Sequence, residues 1–406
     1  MSSRRCVVIG AGIVGASVAA RLASAGVQVT LLDQDQPGRG TSKWSFAWLN
    51  SNDKAPRSYH DLNHAGIRAW AELAPDLDGD AWYRPVGHLE LATAATAGTA
   101  EPATSGAGYA ELEARVRRLT EWGYPARLVD PAEAAGLEPT LCHPAPAAWF
   151  PDEGYLLTEP LIARLVAHAQ RHGADLRTGE SGRVTAVEAG PGGTPRVRAA
   201  DGTVLAADDV VCCAGRWTPE LASVPLIPWD TRGSVAPALV VRVGPVAPPG
   251  PVRLLHTPEL SLRPHPGGVL HLEAPDAAVD LHTPQPELTR WAGELLRRAR
   301  ATVRGLDDAS VVESKVCVRP LPPDGHPIVG RLSADAQTAD GRLPSANGSY
   351  VAVTHSGVTL AAHLSRLIAA DLTTDTPPAP LAPYNSARFP PCPPESPPRP
   401  PEHVWL

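Results

Sequence analysis

Three glycines near the start of the chain, Gly10, Gly12 and Gly15, follow the apolar run Cys6-Val-Val-Ile9 at G-x-G-x-x-G spacing. An alanine-rich segment, Ala16 to Ala25, then reads as a helix that stops at Gly26, and a second apolar stretch, Val27 to Leu32, ends on Asp33. Few folds accommodate that order. An uninterrupted apolar run predicts a parallel strand buried on both faces. Gly10 allows the tight turn, Gly12 lets the backbone approach a pyrophosphate, and Gly15 lets the helix pack closely on the strand. The helix N-terminus offers unpaired N–H groups and partial positive charge to the phosphates. Asp33, 18 residues beyond Gly15, can accept hydrogen bonds from a ribose hydroxyl. The glycine spacing alone is weak, but strand, glycines, helix, strand and acid in sequence predict a Rossmann-type dinucleotide site. Ile13, Val14 and Gln34 belong to it by position. Arg4-Arg5 ahead of an apolar stretch also has the outline of a signal peptide. Three glycines and Arg21 break that stretch, so these residues are assigned to the mature fold.

At 406 residues the chain can form two domains with ample core. A formal net charge of -7 with no basic block argues against a nucleic-acid partner. The most apolar late stretch, Tyr350 to Ala370, carries His355, His363 and Arg366 and is not a membrane span. Six scattered cysteines without a C-x-x-C pair fit a reducing cytoplasm, and no metal site is expected. His60 and His64 stand four apart but lack the glutamate of H-E-x-x-H, which predicts a solvated helix face.

Further along, Gly38 to Asn50 reads as a polar turn that could lie along a cofactor, and Ser58 to Leu73 as an amphipathic helix. Asp130 with Pro131 marks a helix start. Thr93 to Gly108 reads as a loop. Gly182 to Glu188 is expected to be a sheet strand reaching back to the first domain, and Asp209 to Gly215 another buried strand ending in glycine. Between Trp217 and Val312 strands dominate, followed by one helix, Pro286 to Val303. Tyr350 to Val353, the turn Thr354-His-Ser-Gly357 and the helix Val358 to Asp371 form a second strand–glycine–helix unit. The fold class expected is α/β (α+β): a Rossmann-type nucleotide domain with a second, sheet-rich substrate domain. The nucleotide domain is discontinuous, residues 1–90 with 150–220 and 312–388; residues 91–149 with 221–311 form the other. The proline-dense tail, 389–406, is expected to be disordered.

Taken together, these motifs resemble the D-amino-acid-oxidase-like superfamily of FAD-dependent oxidoreductases, relatives of glycine oxidase, sarcosine oxidase and the D-amino-acid dehydrogenases. The resemblance covers nearly all of residues 5 to 389. It rests on the glycine fingerprint through Asp33, Gly40-Thr-Ser42, Glu153-Gly-Tyr155, Val210 to Gly215, Arg319-Pro through Gly330, and His355-Ser-Gly357. It implies FAD rather than NAD, with Asp33 at the adenosine ribose and Val184 near the adenine. It also places Thr41, Ser42 and Lys43 near the pyrophosphate or flavin. Ala214, Gly215 and Trp217 belong to the same cofactor site, as do Ser356, Gly357, Val358 and Thr359 from the late unit.

Two residues carry the sharper implications. Arg319 matches the arginine that glycine and D-amino-acid oxidases use against the substrate carboxylate, where guanidinium gives two parallel charge-assisted bonds. The alternative is a structural arginine paired with an acid such as Asp324. Cys317 matches the cysteine to which sarcosine oxidases attach their flavin; the alternative is a buried strand cysteine packing as a small hydrophobe. The carboxylate-binding arginine and lysine of sarcosine oxidases appear here as Ala47 and Thr359. Their oxygen-activating lysine has no counterpart, since no lysine occurs between Lys54 and Lys315. Trp44, Trp48, Tyr155 and Trp217 could line an aromatic pocket or pack in the core.

The resemblance implies oxidation of the C–N bond of an amino acid or related amine, with hydride passing to flavin and O2 as acceptor. Arg319, His355 and Thr359 are the candidate substrate-side residues. One alternative is a dehydrogenase passing electrons to a quinone or carrier; another is a non-catalytic flavoprotein subunit.

Overall fold

The computed structural model describes residues 4–92, 107–332, 348–374 and 377–389. Its first sheet has six strands, in the order Ile328–Arg331, Ser349–Val353, Asp209–Cys212, Arg5–Ile9, Gln28–Leu32, Asp175–Arg177. All neighbours are parallel except Ile328–Arg331, which runs antiparallel to Ser349–Val353. The expected apolar strand is therefore central, and alternation divides its side chains between two cores. Cys6 and Val8 pack with the helices Ile13–Ser24, Thr158–Arg171 and Gly357–Thr373. Val7 and Ile9 face Val187 and Val197 of a small antiparallel sheet on the other side.

That small sheet contains the strand expected near Arg183 and packs on the first sheet. The strand Val184–Ala189 does not enter the main sheet; it pairs with Pro195–Ala199, which pairs with Val204–Ala206. The main-sheet edge is instead Asp175–Arg177. The reason is in the pattern: Val187 is the one buried residue of this strand, whereas a strand inside the main sheet is covered on both faces and buried along its length.

The second large sheet has eight strands, ordered Ser310–Val318, Pro237–Gly244, Val269–Glu273, Leu260–His265, Leu254–Thr257, His88–Leu91, Ala147–Phe150, Arg127–Val129. One face is apolar: Leu89, Val241, Leu255, Leu262, Leu270 and Leu272 pack against Ala292, Leu295 and Ala299 of the helix Gln285–Thr302. The other face turns toward the nucleotide-binding half. Ser310–Val318 and His88–Leu91 both lie in this sheet, so the boundaries expected at residues 312 and 90 fall inside its strands.

Asp130 caps its helix as expected, accepting from the Glu133 N–H at 2.8 Å. The His60/His64 face is not solvated. His60 is 1% exposed, its Nδ1 lies 2.9 Å from Ser51 Oγ, and both rings pack on Tyr124. An aromatic neighbour from a distant segment buries that face, which helical periodicity alone does not reveal. Among the described residues no His/Cys/Asp/Glu group could hold a metal, and no helix is long and apolar enough to cross a membrane. Most of the expected 93–108 loop and all of the tail beyond Phe389 lie outside the described residues.

Candidate active site

The nucleotide end is built by the central strand and the helix that follows it. Gly10 has φ +98°, and a Cβ there would lie 2.5 Å from the Cys213 carbonyl oxygen. At Gly15 a Cβ would sit 1.8 Å from the Gly10 carbonyl, so strand and helix close only on glycine. Gly12 is the helix N-cap and contributes no side-chain cap. Ser42 Oγ accepts from the Ile13 N–H at 3.0 Å, tying the flavin-side loop to this helix start. Val14 packs near Gly357, where a Cβ would approach the Val14 side chain to 3.3 Å; two glycine-led helix starts thus meet face to face.

Asp33 ends its strand with its carboxylate accepting from the Ala11 and Asp35 N–H groups at 2.7 and 2.9 Å. Burial outweighs these bonds and pushes its pKa up to about 6. Gln34 follows it, and its N–H also favours the carboxylate form of Asp33. Val184 opens the small sheet beside this end. Ala214 caps the short helix Gly215–Trp217, whose Gly215 has φ +58°. Trp217 lies under Arg216, 4.1 Å from ring centroid to guanidinium. These cradles suit FAD: glycines where backbones meet, a helix start whose N-cap residue has no side chain, and a carboxylate at the expected ribose end.

The flavin-side loop is the short helix Thr41–Trp44. Thr41 Oγ1 donates to the Val318 carbonyl at 2.5 Å, and the Cys317 thiol lies 3.7 Å from the Thr41 carbonyl oxygen. Burial pushes the Cys317 thiol up to about 12. Lys43 pairs with Glu159 at 3.5 Å. From the late unit, Ser356 Oγ accepts from Tyr59 OH at 2.8 Å, and the Val358 carbonyl accepts from Trp70 Nε1 at 2.8 Å. Thr359 is occupied. Its hydroxyl donates to the Trp48 carbonyl at 3.1 Å and accepts from the Asn50 N–H at 3.4 Å, clasping the late helix to the loop.

Arg319 is half-buried and carries no carboxylate partner among the described residues. Its Nε and Nη2 donate to the carbonyls of Ala236 and Val235 at 3.0 and 2.5 Å. Asp324, the expected structural partner, is instead paired with Arg388. His355 lies in the field of Arg319 and Lys54; burial first, then those two cations, hold its pKa down at about 3. Arg319 and His355 are therefore brought together, whereas Thr359 serves the loop behind them.

Sequence reasoning missed the inner face of the eight-stranded sheet. Register places Arg242, His271 and Arg263 in one row, and Val240, Glu273 and Ser261 in the next. Arg263 is 3% exposed; it donates to the Phe46 carbonyl at 2.5 Å and lies over the Tyr155 ring at 4.8 Å. Arg242 stacks on Trp44 at 4.6 Å. The signal was strict alternation, Leu260-Ser-Leu-Arg and Leu270-His-Leu-Glu273, with leucine on the covered face and polar groups on the other.

A second missed feature stands behind the loop. Glu153 is fully buried and accepts from Trp48 Nε1, the Ser51 and Asn52 N–H groups, Asn52 Nδ2 and Tyr124 OH at 2.6–3.1 Å, with His88 Nδ1 at 3.0 Å. Burial pushes its pKa up, but the bonds from His88, Tyr124 and Ser51 outweigh this and leave it lowered. Glu153 thereby fixes residues 48–52.

Residues 5–371 match the model of the family described as FAD dependent oxidoreductase, DAO. The chain belongs to the DAO family of FAD-dependent oxidoreductases. It is 27% identical to the uncharacterized oxidoreductase YurR of Bacillus subtilis (strain 168), over 94% of this chain and 98% of that one. It is 30% identical to the tRNA 5-methylaminomethyl-2-thiouridine biosynthesis bifunctional protein MnmC of Chromohalobacter salexigens. That match covers 90% of this chain but spans only 52% of the relative's length. The fold is similar to that of iminodiacetate oxidase from Chelativorans sp. BNC1, with TM-score 0.72 and 22% identity over 94% of this chain and 99% of that one.

Proposed function

We propose that this flavoenzyme oxidises the C–N bond of an amino acid or a related carboxylate-bearing amine. The observation that carries this reading is Arg319: a half-buried guanidinium steered by two backbone carbonyls, with no ion-paired acid among the described residues, on the position that resembles the family's carboxylate-binding arginine. A substrate carboxylate there gains two parallel charge-assisted bonds and is fixed in orientation. Bound FAD supplies the two-electron acceptor chemistry. Gly10, Gly12, Gly15 and Asp33 hold its adenosine and pyrophosphate end; Thr41, Ser42 and Gly357 flank the ring end. His355, neutral at working pH, is a hydrogen-bonding group for the substrate rather than a source of charge.

O2 is the acceptor in this reading, and amine-dependent peroxide formation under air tests it. Flavin bleaching without peroxide would instead identify a dehydrogenase serving a quinone or carrier. Failure of every carboxylate-bearing amine to bleach the flavin anaerobically would leave a non-catalytic flavoprotein subunit.

FAD is held without a covalent bond in this reading. A thiolate is the nucleophile for attachment, and Cys317 is 5% exposed with its thiol pushed up to about 12. The bifunctional relatives suggest a second substrate, an amine carried on a modified nucleoside. The net charge of -7 counts against a polyanionic partner. Comparing a free amino acid with tRNA bearing the amine separates the two.

A further inference from the structure

We propose that Glu273 accepts the proton of the substrate's ammonium group, supplying the base that the fingerprint and the late block lack. This rests on the reading of the site as one for a carboxylate-bearing amine. Oxidation of such a substrate requires a free nitrogen lone pair, and at neutral pH the nitrogen arrives protonated. The transfer is self-contained: an N–H bond of the ammonium breaks, an O–H bond forms on the carboxylate, and the lone pair stays on nitrogen. The substrate nitrogen is then neutral, as the two-electron acceptor chemistry that bound FAD would supply requires.

The placement of Glu273 supports this role. It ends the strand Val269–Glu273, and Leu270 and Leu272 of that strand lie in the core under the helix Gln285–Thr302. Glu273 therefore points to the opposite, inner face. Its cross-strand neighbours are Ser261 on one side and Val240 on the other; Lys315 follows Val240 in the same row, and Cys317 stands two residues along that edge strand. Arg263, Arg242 and His271 occupy the next row. The carboxylate lies in the fields of Arg319 and Arg263, and it acts in turn on Cys317. It is thus near both the candidate carboxylate clamp and the candidate ring position.

Despite these cations, Glu273 forms no ion pair and no hydrogen bond among the described residues, while Arg319 directs Nε and Nη2 to carbonyls and Arg263 is held by the Phe46 and Pro264 carbonyls and the His271 ring. An acid on a face rich in arginine that is left unpaired has its acceptor capacity in reserve. Burial pushes its pKa up to about 7, with Arg319 and then Arg263 opposing the rise. A base poised near working pH is the efficient choice for proton transfer.

The test uses the holoprotein with an amine that bleaches its flavin; if none does, the parent reading fails and Glu273 is not at issue. The limiting rate of anaerobic bleaching is measured against pH for the native protein and Glu273→Gln, with an unchanged flavin spectrum certifying the fold. The native rate is expected to rise through about pH 7. Glu273→Gln is expected to lose that break and to slow by roughly tenfold or more. Acetate, which cannot be oxidised, provides a readout apart from turnover through the flavin absorbance. Its binding is expected to tighten in the native protein as pH falls through about 7, because protonation of Glu273 removes a like charge, and to lose that dependence in Glu273→Gln. A variant that keeps the break in both readouts overturns the proposal, whether or not it is slower.

Discussion

Arg388 holds Asp324 in a two-bond ion pair, at 2.8 and 3.2 Å, so Asp324 is engaged away from Arg319. The consequence is a guanidinium oriented by the Ala236 and Val235 carbonyls with no ion pair of its own among the described residues. Arg319→Ala is predicted to weaken binding of a carboxylate substrate by about 2 kcal/mol, roughly thirtyfold. Steady-state kinetics should show the loss chiefly in KM, and an amine without a carboxylate should be little affected. Equal effects on both substrates would remove Arg319 from the carboxylate site.

Asp33 offers a pH-dependent handle on the cofactor. Its pKa is raised to about 6 by burial, and ribose hydroxyls favour the ionised form. FAD affinity of the apoprotein should be constant above that pH and fall as pH drops through it, because protonation removes an acceptor. Asp33→Asn should bind FAD about 1 to 2 kcal/mol more weakly and lose the dependence. Fluorescence titration of apoprotein with FAD checks both.

The Glu153 network predicts a stability effect distinct from chemistry. Its folded-state pKa lies below the unfolded value, so its contribution is present above the ordinary carboxyl range and is lost as pH falls through the folded value. Glu153→Ala leaves His88, Tyr124, Trp48 and Asn52 without their shared acceptor. It should cost about 3 to 5 kcal/mol, read as a lowered denaturation midpoint.

Cys317 bears on how the flavin is retained. Acid precipitation of the holoprotein is predicted to release the yellow colour to the supernatant. Colour that stays with the pellet, and is released by Cys317→Ala, would establish a thioether instead.

The parts of this fold that were legible in the sequence are those in which local chemistry is decisive. Gly10 and Gly15 sit where a Cβ would collide with backbone, and Asp130 caps a helix its own sequence announces. What escaped depends on partners distant in the chain. His60 is buried by Tyr124, Glu153 gathers donors from three segments, and Glu273 acquires meaning only when its strand is set beside Val240 and Ser261. The alternation from Leu260 to Glu273 did mark one polar face, but only the sheet order shows that this face turns toward the nucleotide-binding half. Thr359 differs in the opposite way: expected at the cofactor and substrate side, its hydroxyl is engaged by Trp48 and Asn50.

The central claim is tested most directly by mixing the holoprotein anaerobically with a panel of amino acids and N-substituted amino acids while following the flavin's yellow absorbance. The account predicts stoichiometric bleaching by at least one carboxylate-bearing amine, with the matching imine or its hydrolysis product formed. Retention of the oxidised spectrum with every such amine, in protein that dithionite still reduces, would contradict it.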